Sequence, residues 1–244
     1  MKSQGKELFI DKTPPKRPKL KILLGLPGSG KGTITKKYHL INNHTISVNY
    51  DELIMSNKSY QEEKKMAKTK KETQALYFKY REMVKVIDQK ANAKAIKYGY
   101  SILWETTGSD IEWIYEWLHK FHKKGYSVEI HYPIADLKTI KSRLEKREIE
   151  TGQESAPMED LVRSKKTIEK NLIRLLPFAS NIYLYDNTGD RVEKIIGISS
   201  VYDAECFNTL KEHCKIKSTI REDFGEEIYL ALKNSKSCSK ICEF

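Results

Sequence analysis

The residues from Lys19 to Thr33, KLKILLGLPGSGKGT, constrain the fold of this chain more than any other stretch. They begin with a short apolar run, 22–24, bounded by charged residues, which is typical of a buried parallel strand. Glycines at positions 25, 28 and 30 and a lysine at position 31 follow. This spacing predicts a phosphate-binding loop, because glycine has no Cβ to keep successive backbone N–H groups from turning toward one anion.

The residues of this loop are expected to bind ATP. The helix predicted from about Lys31 directs its N-terminal dipole at the phosphates, and Lys31 adds a positive charge for the β- and γ-phosphates. The sequence matches the pattern G-x-x-x-x-G-K-[ST] at every position except the last, which is Gly32. The hydroxyl group comes one residue later, on Thr33. A glycine-rich turn without a ligand is the alternative. The expected nucleotide-binding residues are Gly25, Pro27, Gly28, Ser29, Gly30, Lys31, Gly32 and Thr33.

Strand and helix patterns alternate through the following residues. Apolar and β-branched runs predict four further strands, at 44–49, 100–104, 126–132 and 182–185. Helical patterns lie between them, at 31–41, 59–99 with a break near Thr69, about 110–125, 136–150 and 158–176. Such alternation predicts a parallel sheet with right-handed crossovers, in a three-layer α/β domain.

Two segments flank the domain that we predict at residues 19–190. Residues 1–18 are basic and contain several prolines, so we expect a flexible arm. Residues 191–244 form a C-terminal extension, in which 192–201 fit an edge strand and 204–214 and 226–233 fit short helices. The four cysteines of this extension lack the spacing of common zinc modules and are expected to be free thiols; they are Cys206, Cys214, Cys238 and Cys242.

Charge and hydropathy restrict the partners and the compartment. The formal net charge of +11 would suit an anionic partner. Much of this charge is scattered lysine, so nucleic-acid binding is not favoured. The sequence has no apolar run of about 18 residues and begins without the apolar core of a signal peptide, so we expect neither a membrane span nor secretion. A cytoplasmic protein is the expectation.

Polar side chains follow the predicted strands where an open parallel sheet binds its ligand, at the carboxyl ends. Asp51 follows the second strand, Glu105 and Thr107 follow the third, and Asp186 and Asn187 follow the fifth. These side chains are therefore expected to face one crevice together with the phosphate loop.

The chemistry of phosphoryl transfer gives these groups roles. The reaction needs charge neutralisation and in-line placement, so a carboxylate near the acceptor hydroxyl can orient it and take its proton. Asp51 is the candidate for this task, and Glu105 and Thr33 are the candidate magnesium-binding groups. The alternatives are a helix N-cap for Asp51 and a cap or surface carboxylate for Glu105.

Basic side chains surround a predicted loop at 151–157. Arg143 and Arg147 lie four residues apart on one helix face before it, and Arg163 and Lys166 follow it. A helix, loop and helix with arginines at these places would form a mobile lid that clamps phosphate. A charged surface helix is the alternative.

Five stretches, taken in order, resemble the zeta-toxin family of P-loop kinases. They are the loop GLPGSGKGT, VNYDEL at 48–53, ILWETTG at 102–108, FHKKGYSVEIHYP at 121–133 and YLYDN ending at Asn187. The resemblance covers about residues 20–187. The fold expected of such a kinase is a three-layer α/β domain whose five-stranded parallel sheet has the order 2-3-1-4-5.

Members of this family are ATP-dependent kinases, and the bacterial toxins phosphorylate a sugar hydroxyl of UDP-N-acetylglucosamine. The resemblance implies that Lys31 holds the ATP phosphates and that Asp51 is the base. It also implies that Glu105 and Thr107 contact the acceptor and that Arg147 stabilises the moving phosphoryl group. The sequence departs from the family at Gly32 and near Gln153, where the expected arginine is missing, so Arg163 would have to replace it.

We therefore expect an ATP-dependent phosphotransferase that uses Mg²⁺ and phosphorylates a hydroxyl of a small molecule, with a nucleotide-sugar as the candidate acceptor. Two alternatives stay open. A nucleoside-monophosphate or polynucleotide kinase is favoured by the GKGT form of the loop, which resembles adenylate kinases, and by the basic charge. The other alternative is a nucleotide- or RNA-binding module without catalysis.

Overall fold

The computed structural model describes residues 7–151, 156–188 and 193–199. Its strands are β1 (Lys19–Leu24), β2 (Thr45–Ser47), β3 (Ser101–Thr106), β4 (Ser127–Ile134), β5 (Asn181–Asp186) and β6 (Glu193–Ser199). Its helices are α1 (Lys31–Lys37), α2 (Tyr50–Met55), α3 (Lys58–Met66), α4 (Lys70–Tyr98), α5 (Ile111–His122), α6 (Leu137–Thr151) and α7 (Met158–Leu175), which a 3-10 turn at Leu176–Phe178 follows.

The strands form one sheet in the order β2-β3-β1-β4-β5-β6. The first five confirm the predicted parallel sheet with the order 2-3-1-4-5, flanked by helices. The edge strand expected at 192–201 is present as β6, and it pairs with β5 in the antiparallel direction. The sheet is therefore mixed at this edge, and the sequence did not predict the direction of the edge strand.

The chain divides into two compact units. We call residues 7–18 and 41–104 the helical unit, and residues 19–40, 105–151, 156–188 and 193–199 the P-loop unit. Residues 41–104, which belong to the domain expected at 19–190, thus form a unit with the N-terminal segment.

Capping residues determine where the helices of the helical unit begin. Asn49, Asn57 and Thr69 precede α2, α3 and α4, and each side chain accepts a backbone N–H bond from the first turn of its helix. The predicted helix break near Thr69 is confirmed by this third cap. The three helices pack around a buried cluster of Ile54, Tyr60, Tyr80 and Val84.

The N-terminal segment makes defined contacts within the helical unit. The ring of Phe9 packs edge-on against Tyr100, with 5.3 Å between centroids, and Nζ of Lys94 lies 3.9 Å from the Phe9 centroid. The Thr13 N–H donates to the carbonyl oxygen of Asn43 at 2.9 Å. These contacts join Phe9 and Thr13, in the segment expected to be a flexible arm, to other residues of the helical unit.

Helix α1 ends earlier than predicted, at Lys37 rather than near residue 41. His39 takes a left-handed conformation with φ of +48°. Two contacts favour this turn: the Tyr38 ring packs against Tyr185, and Nζ of Lys21 donates to the Leu40 carbonyl oxygen at 2.7 Å. Both contacts join residues far apart in the sequence, so the local helical pattern did not reveal them.

No helix among the described residues has the length and apolar character to span a membrane. The four cysteines and the short helices expected at 204–214 and 226–233 lie outside the described residues.

Candidate active site

The loop between β1 and α1 has the backbone of a phosphate-binding turn. The φ angles are +154° at Gly25, +80° at Gly28 and +89° at Gly30, a region that glycine adopts without strain. The Ser29 N–H donates to the Leu26 carbonyl oxygen at 3.1 Å and closes the turn. Gly30 precedes α1 and offers no side chain to the first amides of the helix, which is the arrangement that binds phosphate.

Positions 30 and 32 of the loop differ in the space that is available for a side chain. A Cβ at Gly30 would overlap Nδ2 of Asn187, so a larger residue does not fit there. A Cβ at Gly32 would have no heavy atom within 4 Å. Packing therefore imposes glycine at position 30 and leaves position 32 open to a side chain.

Lys31 is folded back over the loop. Its Nζ donates to the carbonyl oxygens of Gly25 at 2.7 Å and Leu26 at 3.0 Å. These bonds hold the ammonium group against the backbone of the loop. The role of Lys31 in binding phosphate stays a prediction.

Asn187 and Arg143 hold the loop through its carbonyl groups. Asn187 is 3% exposed, and its Nδ2 donates to the Ser29 carbonyl oxygen at 2.5 Å. Arg143 donates from Nη2 to the Asn187 carbonyl oxygen at 3.0 Å and from Nη1 to that of Gly28 at 3.4 Å. Arg143 was expected in a phosphate-clamping lid, whereas here it contacts the backbone of the loop and of the residue after β5.

Glu105 lies at the end of β3 and accepts a hydrogen bond from Thr35. The distance from Thr35 Oγ1 to Glu105 Oε1 is 2.8 Å. Thr35 is one helical turn beyond Lys31 on α1, so this bond fixes the carboxylate beside the helix that begins at the loop lysine. The cap of α5 is Asp110, whose Oδ1 accepts from the Trp113 N–H at 3.1 Å. Glu105 is therefore not a helix cap, while its exposure agrees with the other alternative, a surface carboxylate.

Thr107 lies in a tight turn that α7 holds in place. Its Oγ1 is 2.8 Å from Oγ of Ser109. The buried Asn171 donates from Nδ2 to the carbonyl oxygens of Gly108 at 2.8 Å and Ser109 at 3.2 Å. Gly108 has a φ of +74°, and a Cβ there would come within 2.6 Å of Leu24. The turn that contains Thr107 is thus held by Asn171 of α7 and packs against Leu24 of β1.

The expected magnesium-binding groups have different surroundings. Thr33 and Gly32 line an open concavity with Lys36, Lys37 and His39, and this concentration of positive charge suits an anion better than a cation. Within the described residues no group of three or more His, Cys, Asp or Glu side chains is arranged to hold a metal ion. Mg²⁺ bound to nucleotide phosphates needs only one or two protein oxygens, and the Glu105 carboxylate fits this requirement.

Arg147 and Arg163 lie on the two helices that flank the expected lid loop. Arg147 is partly buried on α6, while the exposed guanidinium of Arg163 on α7 pairs with Asp160. Lys165 is more buried than Arg163, with a side chain 17% exposed and Nζ 3.7 Å from Oε1 of Glu169. Residues 152–155 of the loop, including Gln153, are outside the described part of the chain.

Asp51 belongs to the helical unit, in the first turn of α2. The cap of this helix is Asn49, whose Oδ1 accepts from the Glu52 N–H at 3.1 Å, so Asp51 is not the N-cap that was its alternative. Tyr77 on α4 donates from its hydroxyl to Asp51 Oδ1 at 2.5 Å. The side chain of the candidate base is thus bound to the long helix of the same unit.

A second buried carboxylate lies in the helical unit. Asp88 is 4% exposed and accepts hydrogen bonds from the Tyr50 hydroxyl at 3.1 Å and from Nδ2 of Asn92 at 3.3 Å. Asn92 in turn accepts from Nε1 of Trp104 at 3.1 Å. Burial raises the pKa of Asp88 to about 6, although both hydrogen bonds act in the opposite direction.

The predicted site residues fall into both units. Asp51 is in the helical unit, and the P-loop unit contains residues 25–33, Glu105, Thr107, Arg147 and Arg163. Sequence reasoning missed Tyr77 and Asn171, and it did not foresee the contact of Asn187 with the loop. No local signal marks these residues, because their partners are 26, 62 to 63 and 158 positions away.

A sequence profile described as Zeta toxin matches residues 5–187. No curated protein matches the sequence. Among solved structures, that of the PezAT chromosomal toxin-antitoxin system of Streptococcus pneumoniae has a TM-score of 0.61 and 18% identity, covering 80% of this chain and 78% of the other. The AvrRxo1-ORF1:-ORF2 structure with ATP has a TM-score of 0.57 and 13% identity, covering 98% and 85%. These two structures are similar to this chain in fold.

Proposed function

The chain belongs to the zeta toxin family of phosphotransferases, and from that premise we propose that it transfers the γ-phosphate of ATP to a hydroxyl group of a small molecule. A nucleotide-sugar is the candidate acceptor. The observation that carries the proposal is the loop at residues 25–30, with its three left-handed glycines and with Lys31 bound to two of its carbonyl oxygens. ATP in the related AvrRxo1 structure supports the choice of nucleotide.

In this proposal the loop amides and Lys31 bind the β- and γ-phosphates and hold the terminal phosphorus for in-line attack. Glu105, with Thr33 as the second candidate, would supply protein oxygens to a Mg²⁺ ion bound with the nucleotide, and that ion would neutralise phosphate charge. The hydrogen bond from Thr35 keeps the Glu105 carboxylate beside α1.

Asp51 accepts the proton of the acceptor hydroxyl as the new O–P bond forms and the bond from the γ-phosphorus to the β–γ bridging oxygen breaks, with ADP as the leaving group. Glu105 and Thr107 contact the acceptor. Arg147 and Arg163 neutralise charge on the phosphoryl group in transit. Arg163 must leave its pair with the exposed Asp160 to do so, and such surface pairs are weak, about 0–1 kcal/mol.

A protein partner is also part of the proposal. The PezAT structure comes from a toxin-antitoxin system, and the AvrRxo1 structures contain two components, ORF1 and ORF2. We extend the expectation of a protein partner from these proteins to this chain.

A screen of acceptors with γ-labelled ATP tests the reaction. We expect label transfer to a UDP-sugar, with loss of more than about 100-fold in Lys31→Ala and in Asp51→Asn. Lys124→Ala and Glu52→Gln are the matched controls, because each removes an exposed side chain of the same charge outside the candidate site, from the P-loop unit and from α2 respectively.

Two results would count against the proposal. Transfer to a nucleoside monophosphate, with none to UDP-sugars, would support the alternative that the GKGT loop favours, and transfer to RNA ends would support the one that the basic charge favours. Full activity of Asp51→Asn would remove Asp51 from the role of base.

A further inference from the structure

The contact between Tyr77 and Asp51 is a defined feature of the helical unit. The Tyr77 hydroxyl lies 2.5 Å from Asp51 Oδ1, a separation typical of a strong hydrogen bond to an ionised acceptor. Asp51 is in the first turn of α2 and Tyr77 is near the start of α4, so the bond joins two helices.

The direction of this hydrogen bond is fixed. Burial, followed by the bond to Asp51 and the charge of Asp51, raises the pKa of Tyr77 to about 12, while the nearby Arg81 acts in the opposite direction. The phenol is therefore protonated throughout the physiological range, and it donates while the carboxylate accepts.

The position of the Tyr77 ring is determined by the core of the helical unit. Tyr77 packs against the buried cluster of Ile54, Tyr60, Tyr80 and Val84. Ile54 is on α2, the same helix as Asp51, so packing and the hydrogen bond act on the same pair of helices. Since the ring cannot move far without disturbing this cluster, its hydroxyl is a stationary donor for Asp51.

We propose that Tyr77 is a positioning residue, which holds the carboxylate of Asp51 in the orientation required to receive the proton of the acceptor. This inference rests on the proposed function, because it assumes that Asp51 is the base. A free aspartate rotates about its terminal torsion, whereas a carboxylate bound at one oxygen by a packed phenol keeps one orientation.

Tyr80 provides a matched control in the same cluster. It is 3% exposed, and its hydroxyl donates to Oε1 of Glu63 at 2.8 Å rather than to Asp51. Tyr77→Phe and Tyr80→Phe each remove one hydroxyl and keep the ring, so a general loss of packing would affect both variants alike.

The contact is tested by ¹³C NMR of the full chain labelled at the tyrosine Cζ atoms. The Tyr77 signal is identified as the one absent from Tyr77→Phe, and we expect Asp51→Asn to shift it. Glu63→Gln should shift the Tyr80 signal and leave that of Tyr77 in place. A Tyr77 signal that does not respond to Asp51→Asn would overturn the inference, whatever the activity of the protein.

The role is tested by steady-state turnover of ATP, with water as the acceptor. We expect Tyr77→Phe to lower kcat roughly tenfold, as loss of one charged hydrogen bond implies, with little change in the KM for ATP and no change in Tyr80→Phe. In the Asp51→Asn background, Tyr77→Phe should have no further effect, because the two residues act as one unit. An equal loss in both backgrounds would identify a structural role and contradict the inference.

The two proposals fail in different ways. Unchanged turnover in Asp51→Asn removes the base from the proposed function, and the positioning role of Tyr77 falls with it even if the NMR contact is present. Inactive Asp51→Asn with fully active Tyr77→Phe leaves the proposed function in place and overturns the inference alone.

Discussion

At the scale of single residues, side-chain amides support the candidate active site. Asn187 holds the carbonyl of Ser29, and Asn171 holds those of Gly108 and Ser109. Both asparagines are at most 5% exposed, so each amide is removed from competing water. The two asparagines therefore fix carbonyl groups in the phosphate loop and in the turn at residues 107–109. The conformations of these two segments would otherwise depend on glycine alone.

The two glycines of the loop predict opposite results for the same substitution. Gly30→Ala should destabilise the chain by at least about 1–2 kcal/mol, because alanine resists the left-handed backbone and its Cβ would overlap Asn187. Gly32→Ala should be neutral or stabilise it by about 0.5 kcal/mol, because position 32 is helical and open. Urea unfolding measures both, and ATP titration should show weakened binding in Gly30→Ala alone. Equal stability of the two variants would contradict the geometry of the loop.

At the scale of elements, features set by local sequence patterns, such as helix caps, were predicted. Features that depend on contacts between residues far apart in the sequence were not. The strand before the loop and the break at Thr69 follow from local patterns, and the strand order follows from the family resemblance; all three were predicted. The early end of α1 and the contacts of residues 9–13 were not, because Tyr185 and Tyr100 stabilise them from distant positions. Asp51 and Glu105 stood out as polar residues after apolar runs, whereas nothing in the sequence around Tyr77 marks it, because its partner is 26 positions away.

The buried Asp88 of α4 predicts a pH dependence of stability. Its pKa rises from 3.8 to about 6 on folding, so the folded state binds the proton more tightly. The contribution of this proton to the free energy of unfolding is complete below pH 3.8. It is lost as the pH rises through 6, which lowers the free energy of unfolding by about 3 kcal/mol. In urea unfolding at a series of pH values, Asp88→Asn should show a smaller decrease in the free energy of unfolding between pH 4 and 6.5 than the parent. Glu82→Gln, an exposed carboxylate on the same helix, should leave the slope unchanged.

At the scale of the whole molecule, the family and the fold both indicate a nucleotide-binding protein. Its basic residues are distributed over both units. The zeta toxin match ends at Asn187, the residue that contacts the phosphate loop. The last residue of the matched region is therefore part of the structure around the loop, and removal of it should affect the nucleotide site.

Nucleotide binding should stabilise the folded chain. A ligand at 100 times its Kd adds about 2.7 kcal/mol, which for a chain of this size raises Tm by about 5–10 °C. We expect this rise with ATP and Mg²⁺ in thermal unfolding of the parent and of Lys124→Ala, and no rise in Lys31→Ala. A full rise in Lys31→Ala would show that the nucleotide binds elsewhere.

The resting contacts of Lys31 bear on the nucleotide binding that we propose. Its ammonium group has two neutral carbonyl partners, so an entering ligand would need to offer stronger acceptors to turn the side chain outward. The multiply ionised tail of a nucleoside triphosphate would meet this condition, whereas an uncharged nucleoside would not. We therefore expect the loop to select for anionic charge before any base or sugar is recognised.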